Sequence, residues 1–251
     1  MHKIHEYKSI ESLLTEQVPS FVHAVIEGQL QGEIWVDHLD APSCAIVSTW
    51  NGVHSFLGKA GNLVFDKWLV HYINKKSSGG RFTVFDPEDG FKRLLQQTSL
   101  SFQTHLRIGY RWEKRELPSI NHAIPIGQQE VELSTIFTES YYGLWWDSVD
   151  AFLAKGIGVC IKDGEDLVGE CVSIFKTSEY AEVDIEVNPK ARGKGIGYEI
   201  GCAFITECLQ LGVEPRWDCD QDNLASQRLA QKLGFIKGYE YPLYSLTSTS
   251  S

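Results

Sequence analysis

Residues 181–197 constrain the chain most. They read AEVDIEV, NPKA and then RGKGIG. The first seven alternate apolar and polar, which is the period of a strand. Asn188-Pro189 ends the strand, because proline donates nothing to a ladder. Ile196, Ile200, Ala203, Phe204, Cys208 and Leu211 then recur at helical spacing over 196–211. A glycine-rich loop between strand and helix exposes backbone N–H groups at the positive end of the helix dipole. Such a loop binds phosphate, and Arg192 and Lys194 add positive charge. It is not a P-loop, since no Ser or Thr follows Lys194. It is not a dinucleotide fingerprint either, since its glycines fall at 193, 195 and 197 and hairpins precede its strand.

The rest of the chain reads as alternating strands and helices. Ser9 caps a helix over 9–17, and a strand covers 32–37. Runs 44–50 and 53–58 flank Asn51-Gly52, a hairpin signal that needs positive φ at both turn positions. Asn62 caps a helix over 63–76 with Leu63, Trp68, Leu69 and Tyr72 on its apolar side. Strands are expected at 81–85 and 102–110, with a helix from Asp86-Pro87 to about 98 between them. Residues 113–129 carry two prolines and little periodicity, and read as a linker. Helices follow at 130–140 and 146–155. A second hairpin over 159–162 and 167–175 turns at Asp163-Gly164. Then come the 181–187 strand, a strand at 215–219 and a helix over 223–233 ended by Gly234. One or two further strands precede a frayed SLTSTSS tail. This divides the chain into domains 1–120 and 121–251. Each half has a hairpin, then helix, strand, helix and strand, which suggests a diverged internal duplication.

Two motifs now combine. RGKGIG matches the pattern [Q/R]-x-x-G-x-[G/A] at Arg192, Gly195 and Gly197. The helix led by Asn223 reads NLASQRLAQKLGF and ends in Lys232-Leu233-Gly234-Phe235. In this order behind such a strand, they resemble the GNAT superfamily of acyl-CoA-dependent N-acetyltransferases over about residues 130–246. The resemblance implies an α/β (α+β) fold: a mixed, mostly antiparallel twisted sheet flanked by helices. An N-terminal α/β domain, a candidate degenerate copy, precedes it. The resemblance also implies acetyl-CoA wedged beside the 181–187 strand. Its pyrophosphate would lie on Arg192, Gly193, Lys194, Gly195, Ile196 and Gly197. Glu186 and Val187 would pair with the pantetheine, and the Val187 N–H would polarise the thioester carbonyl. Asn223 and Ser226 would line the other side of the arm.

The chemistry needs a neutral amine, so a base must take a proton. Glu182, Asp184 and Glu186 share one strand face about 7 Å apart, and their repulsion raises at least one pKa. Glu182 matches the base glutamate of the histone-type branch; Glu186 is the second catalytic candidate, and Asp184 a substrate-binding one. Tyr141, Tyr142 and Trp145 sit where the family binds its acceptor, though aromatic packing is the alternative. One departure stands out: Ala230 occupies the position of the family's usual tyrosine acid. Tyr198, Cys219, Tyr239 and Tyr241 are unranked substitutes.

Charge narrows the partners. The 33 acidic and 23 basic residues give −10, all of it in residues 126–251. That excludes a general nucleic-acid coat, and suits a cationic amine rather than an acidic acceptor. All eight histidines lie at or before His122, so the base is a carboxylate or water. The six cysteines form no C-x-x-C pair and no zinc-like cluster with histidine, and they read as buried reduced thiols. The N-terminus lacks a secretory pattern, and no apolar run approaches the roughly 20 residues of a membrane helix. The expectation is a cytoplasmic, metal-free acetyl-CoA-dependent N-acetyltransferase of a small amine, with no nucleic-acid or membrane partner and an oligomer left open. A non-catalytic acyl-CoA binder and a protein lysine or N-terminal acetyltransferase are the other readings.

Overall fold

The computed structural model describes residues 1–5, 7–77, 80–113 and 115–246. Packing divides the chain into two units, Met1–Ile108 with the segment from Tyr239, and Gly109–Gly238. In the first unit, β1 (His2–Ile4) leads to a short 3-10 turn over Lys8–Leu13 and then α1 (Ser20–Ile26). The helix expected at 9–17 is thus only that turn. The true helix starts after Pro19, a residue that opens helices and does not continue them.

β2 (Gly32–Val36), β3 (Cys44–Thr49) and β4 (Val53–Gly58) form an antiparallel meander. The β3–β4 turn holds three residues, not two. Only Gly52 has positive φ, at +80°, while the buried Asn51 side chain accepts from Thr49 Oγ1 at 2.5 Å. α2 (Leu63–Ser77) is capped as expected: Asn62 Oδ1 accepts from the N–H groups of Val64 and Phe65, at 3.2 Å each. Its buried stripe is Phe65, Leu69, Tyr72 and Ile73, so Leu63 lies off it and is 74% exposed.

β5 (Thr83–Phe85) pairs in parallel with β4. The helix expected from Asp86 shrinks to α3 (Lys92–Leu95). The Asp86 carboxylate accepts from the N–H groups of Gly90 (3.1 Å) and Phe91 (2.9 Å), and Asp89 has φ +48°. Those bonds close a turn where the first helical turn would stand. β6 (Phe102–Trp112) starts in the first unit and ends in the second.

The second unit begins with β7 (Ile124–Pro125) and three short helices: α4 (Gln128–Leu133), α5 (Glu139–Trp146) and α6 (Val149–Lys155). The helix expected over 130–140 is interrupted at Ser134, whose Oγ accepts from the N–H groups of Ile136 and Phe137, and the one expected over 146–155 begins at Val149. Such local bonds compete with helix continuation. β8 (Gly158–Asp163), β9 (Asp166–Lys176) and β10 (Tyr180–Val187) form a second antiparallel meander. α7 (Ile196–Gln210), β11 (Glu214–Asp220) and α8 (Leu224–Leu233) follow. Leu211 caps the C-terminus of α7 and is exposed rather than buried. Asn223 caps α8 through Ser226 N–H at 3.0 Å, and Gly234 ends it at φ +98°. β12 (Phe235–Leu246) is one strand; from Tyr239 it belongs to the first unit, where it pairs antiparallel with β5. The rest of the expected frayed tail, residues 247–251, lies outside the described residues.

The first unit orders its strands β1-β2-β3-β4-β5-β12, and the second β7-β8-β9-β10-β11-β6. In each, the third and fourth strands are antiparallel and the fourth and fifth parallel. β4 therefore corresponds to β10, and the Asn51-Gly52 hairpin corresponds to β9–β10, not to the Asp163-Gly164 hairpin. In the second unit α7 packs on the sheet face that carries Val183, Ile185 and Val187. α4, α5 and α6 supply the core on the face of Cys160 and Val172. The six cysteines are buried, and none is in a disulfide. Among the described residues no helix is long and apolar enough to cross a membrane, and no cluster of three His, Cys, Asp or Glu is poised for a metal.

Candidate active site

β10 and β11 pair only over Tyr180–Glu182 with Glu214–Arg216. β10 runs on to Val187 and β11 to Asp220, so the two strands part after three residues. β10 stays paired with β9 along its other edge. The Asn188 N–H donates to Val168 C=O at 3.0 Å on that β9 side. Donors alternate along an antiparallel strand, so the N–H groups of Val187 and Ile185 point away from β9, into the parting.

The loop after β10 is built for an anion. Gly193 (φ +79°) and Gly195 (φ +91°) are left-handed, with no atom within 4 Å of where a Cβ would stand. They are glycines for their backbone angle, not for space. Gly197 is one for space: a Cβ would come 3.3 Å from Leu229 Cδ2 and 3.4 Å from Val187 Cγ2. Gly195 caps α7, and residues 192–195 are exposed. The first N–H groups of that 15-residue helix have no preceding carbonyl to bond. Lys194 is exposed beside them. Arg192 instead folds back: Nη2 meets Glu186 Oε1 at 2.6 Å and Nε donates to Val187 C=O at 3.1 Å. Asn223 Oδ1 is engaged as a helix cap, and Ser226 Oγ accepts from Trp217 Nε1 at 2.9 Å.

The even face of β10 carries the expected acids. Asp184 accepts from Tyr141 OH at 2.8 Å. Glu186 also lies 3.3 Å from the Val187 N–H, so both Glu186 and Arg192 are engaged at the strand end. Glu182 stands in register with Arg216, whose guanidinium stacks on Tyr180 at 3.6 Å. One acid escaped the sequence reading. Glu170 on β9 is 5% exposed and accepts from Ser134 Oγ at 3.1 Å. Burial pushes its carboxyl above the ordinary range, against that one hydrogen bond. Its only sequence signal is a charge inside the apolar run LVGECVSIF.

α5 divides the aromatic cluster. Tyr142 is fully buried and stacks near Phe152 at 4.3 Å, so it is a core residue and not the substrate contact expected. Its hydroxyl is buried without a partner. Tyr141 and Trp145 are half-buried; Trp145 meets Phe175 edge to face at 5.5 Å. Burial beside Asp184 raises the Tyr141 phenol, so it stays a neutral donor. Ala230 is fully buried on α8. The Tyr198 ring lies under Lys232 Nζ at 4.3 Å.

Comparisons with known proteins identify the family. The family model of GNAT acetyltransferases matches residues 11–244, so the match includes the first half as well. An uncharacterized N-acetyltransferase of Bacillus subtilis (strain 168), YdfB, is 30% identical over 248 residues, 95% of each chain. A GCN5-related N-acetyltransferase-like protein from Streptococcus suis 89/1591 superposes with a TM-score of 0.73 at 19% identity, covering 95% of this chain and 97% of that one. A tandem GNAT protein from the clavulanic acid biosynthesis pathway gives a TM-score of 0.56 at 11% identity, over 89% and 85%.

Proposed function

Because the chain belongs to the GNAT acetyltransferase family, we propose that it moves the acetyl group of acetyl-CoA onto the primary amine of a small cationic molecule, within a ternary complex. The observation that carries this is the parting of β10 and β11 above a glycine loop that opens a long helix. Residues 193–197 hold the pyrophosphate with their N–H groups, and Lys194 adds charge. Arg192 joins them after leaving Glu186. The N–H groups of Ile185 and Val187 donate to the pantetheine and the thioester carbonyl. Asn223 and Ser226 flank the arm from α8. Acetyl-CoA supplies the acetyl group as a thioester whose thiolate leaves readily.

The acceptor amine meets the acidic face of β10, where Asp184 and Tyr141 orient it and Trp145 packs against it. The carboxylates of Glu170, Glu182, Asp184 and Glu186 on β9 and β10 suit a cation. Six buried cysteines outside any disulfide support a reducing, cytoplasmic setting. The tandem GNAT neighbour supports reading the first unit as a second, altered copy. Acetyl-CoA-dependent thiol release over a panel of amines tests the activity. The second reading, a non-catalytic acyl-CoA binder, is favoured by Ala230 where the family's acid tyrosine stands. Tight acetyl-CoA binding without release on any amine or peptide selects it.

A further inference from the structure

Glu170 is a buried acid that the proposed reaction has not yet used. It lies in register with Glu186 on β10 and with Cys160 on β8. Directly opposed residues of an antiparallel pair hold their Cβ atoms about 5 Å apart on one face. Glu170 therefore shares a face with Asp184 and Glu186 and sits one strand in from the parting. Ser134, before α5, donates to it. Burial, and then the charge of Glu170, raises the Tyr142 phenol, whose hydroxyl is buried without a partner. The other charged groups of this face are engaged elsewhere: Lys162 with Glu130 at 2.7 Å, Arg192 with Glu186 at 2.6 Å, and Asp184 with Tyr141. Cys160 is buried and neutral, its thiol pushed up to about 12 by burial and nearby acids. Among the described residues, no ion pair engages Glu170.

We propose that Glu170 is the carboxylate that takes the proton from the acceptor's ammonium group, directly or through one water. This rests on the acetyltransferase reading. Buried ions are costly, so an ammonium brought against a buried carboxylate is driven toward the neutral pair, amine and carboxylic acid. That transfer makes the nucleophile. The amine nitrogen then forms its bond to the thioester carbonyl carbon, the C–S bond breaks and its electron pair leaves on the CoA thiolate. The second nitrogen proton passes to the thiolate, and Glu170 returns its proton to solvent. Glu186 is held by Arg192 at 2.6 Å, and Glu182 stands in register with Arg216.

The test uses the full chain with acetyl-CoA and a panel of n-propylamine, lysine and spermidine. Glu170→Gln is expected to lower kcat about 100-fold near neutral pH, the usual scale for general base catalysis. The loss should shrink as pH rises and the amine deprotonates unaided. The acetyl-CoA Kd, read by calorimetry, should stay within about twofold of wild type if the cofactor site is untouched. A protonated-carboxyl infrared band at mildly acidic pH should be present in wild type and lost in Glu170→Gln. Ser134→Ala separates chemistry from loop support: it removes the hydrogen bond that holds the carboxyl down and leaves the acid, so the acidic limb of the profile should move to higher pH while most of kcat remains. An unchanged pH profile in Glu170→Gln overturns the proposal, as does Ser134→Ala reproducing the Glu170→Gln profile. Wild-type protein that binds no acetyl-CoA overturns the acetyltransferase reading itself, a different signature from either.

Discussion

The two halves repeat one strand order and then treat the end of their fourth strand in opposite ways. β4 and β10 each pair in parallel with the next strand for three residues, and each leads through a glycine-containing loop into a 15-residue helix. In the second half β11 runs on past the pairing, and the two strands part. In the first half β5 ends with the pairing, at Phe85.

The loops diverge likewise. Gly61 N–H is taken by the Asp66 carboxylate at 3.1 Å, and the N–H groups of Val64 and Phe65 by Asn62. Asp37 stands beside them, accepting from Asn62 Nδ2 at 3.1 Å and Ser43 Oγ at 2.6 Å. Burial pushes the Asp37 carboxyl up, but these hydrogen bonds outweigh it and hold it at about 2, so it is an anion at neutral pH. The first loop thus supplies its own negative charge at the helix N-terminus, where the second leaves the place open. One framework carries a phosphate cradle or fills it, according to a few side chains.

The largest effect that can break this comparison is on cofactor affinity. Gly195→Trp should raise the acetyl-CoA Kd at least about 100-fold, because no bulky side chain suits φ +91° at a backbone that cradles phosphate. The matching Gly61→Trp should leave Kd within about twofold. Calorimetric titration of both variants decides it, and equal losses would erase the distinction between the loops.

The next concerns acid stability, which the first half should dominate. His54 is buried there, stacked on Phe82 at 4.1 Å with Nδ1 2.8 Å from Ser48 Oγ. Burial, aided by Lys76, pulls its pKa from 6.5 to about 3. The folded state then binds that proton less readily than the unfolded one. Stability from this residue is present above pH 6.5 and is lost as pH falls toward 3, by on the order of a few kcal/mol. Urea unfolding across that window should show the loss, and His54→Phe should flatten it. A slope unchanged by the substitution would remove His54 from the account.

The smallest effect sharpens the comparison by matching the two caps. Asn223→Ala should cost about 1 kcal/mol, and Asn62→Ala more, because Asn62 also donates to Asp37. Urea midpoints of the two variants measure the difference.

What the sequence revealed follows from how local each signal is. α7 and α8 carry their caps, stripes and terminal glycines within one short segment, so their bounds were legible. α1 was hidden because Pro19 and its seven residues offer little periodicity. The α3 region misled because an Asp-Pro start also suits a turn, and Asp86 chose the turn by bonding Gly90 and Phe91. In the site, the glycine loop was legible as a unit of six residues. The embrace of Arg192 and Glu186 was not, since it depends on how the loop doubles back. Glu170 was missed because its meaning comes from register with β8 and β10, which a single strand does not announce.

The central claim is that only the second half binds acyl-CoA. Isothermal titration of acetyl-CoA into the intact chain tests it most directly. The account predicts one molecule bound per chain, lost in Gly195→Trp and kept in Gly61→Trp; two molecules per chain, or binding that survives Gly195→Trp, would contradict it.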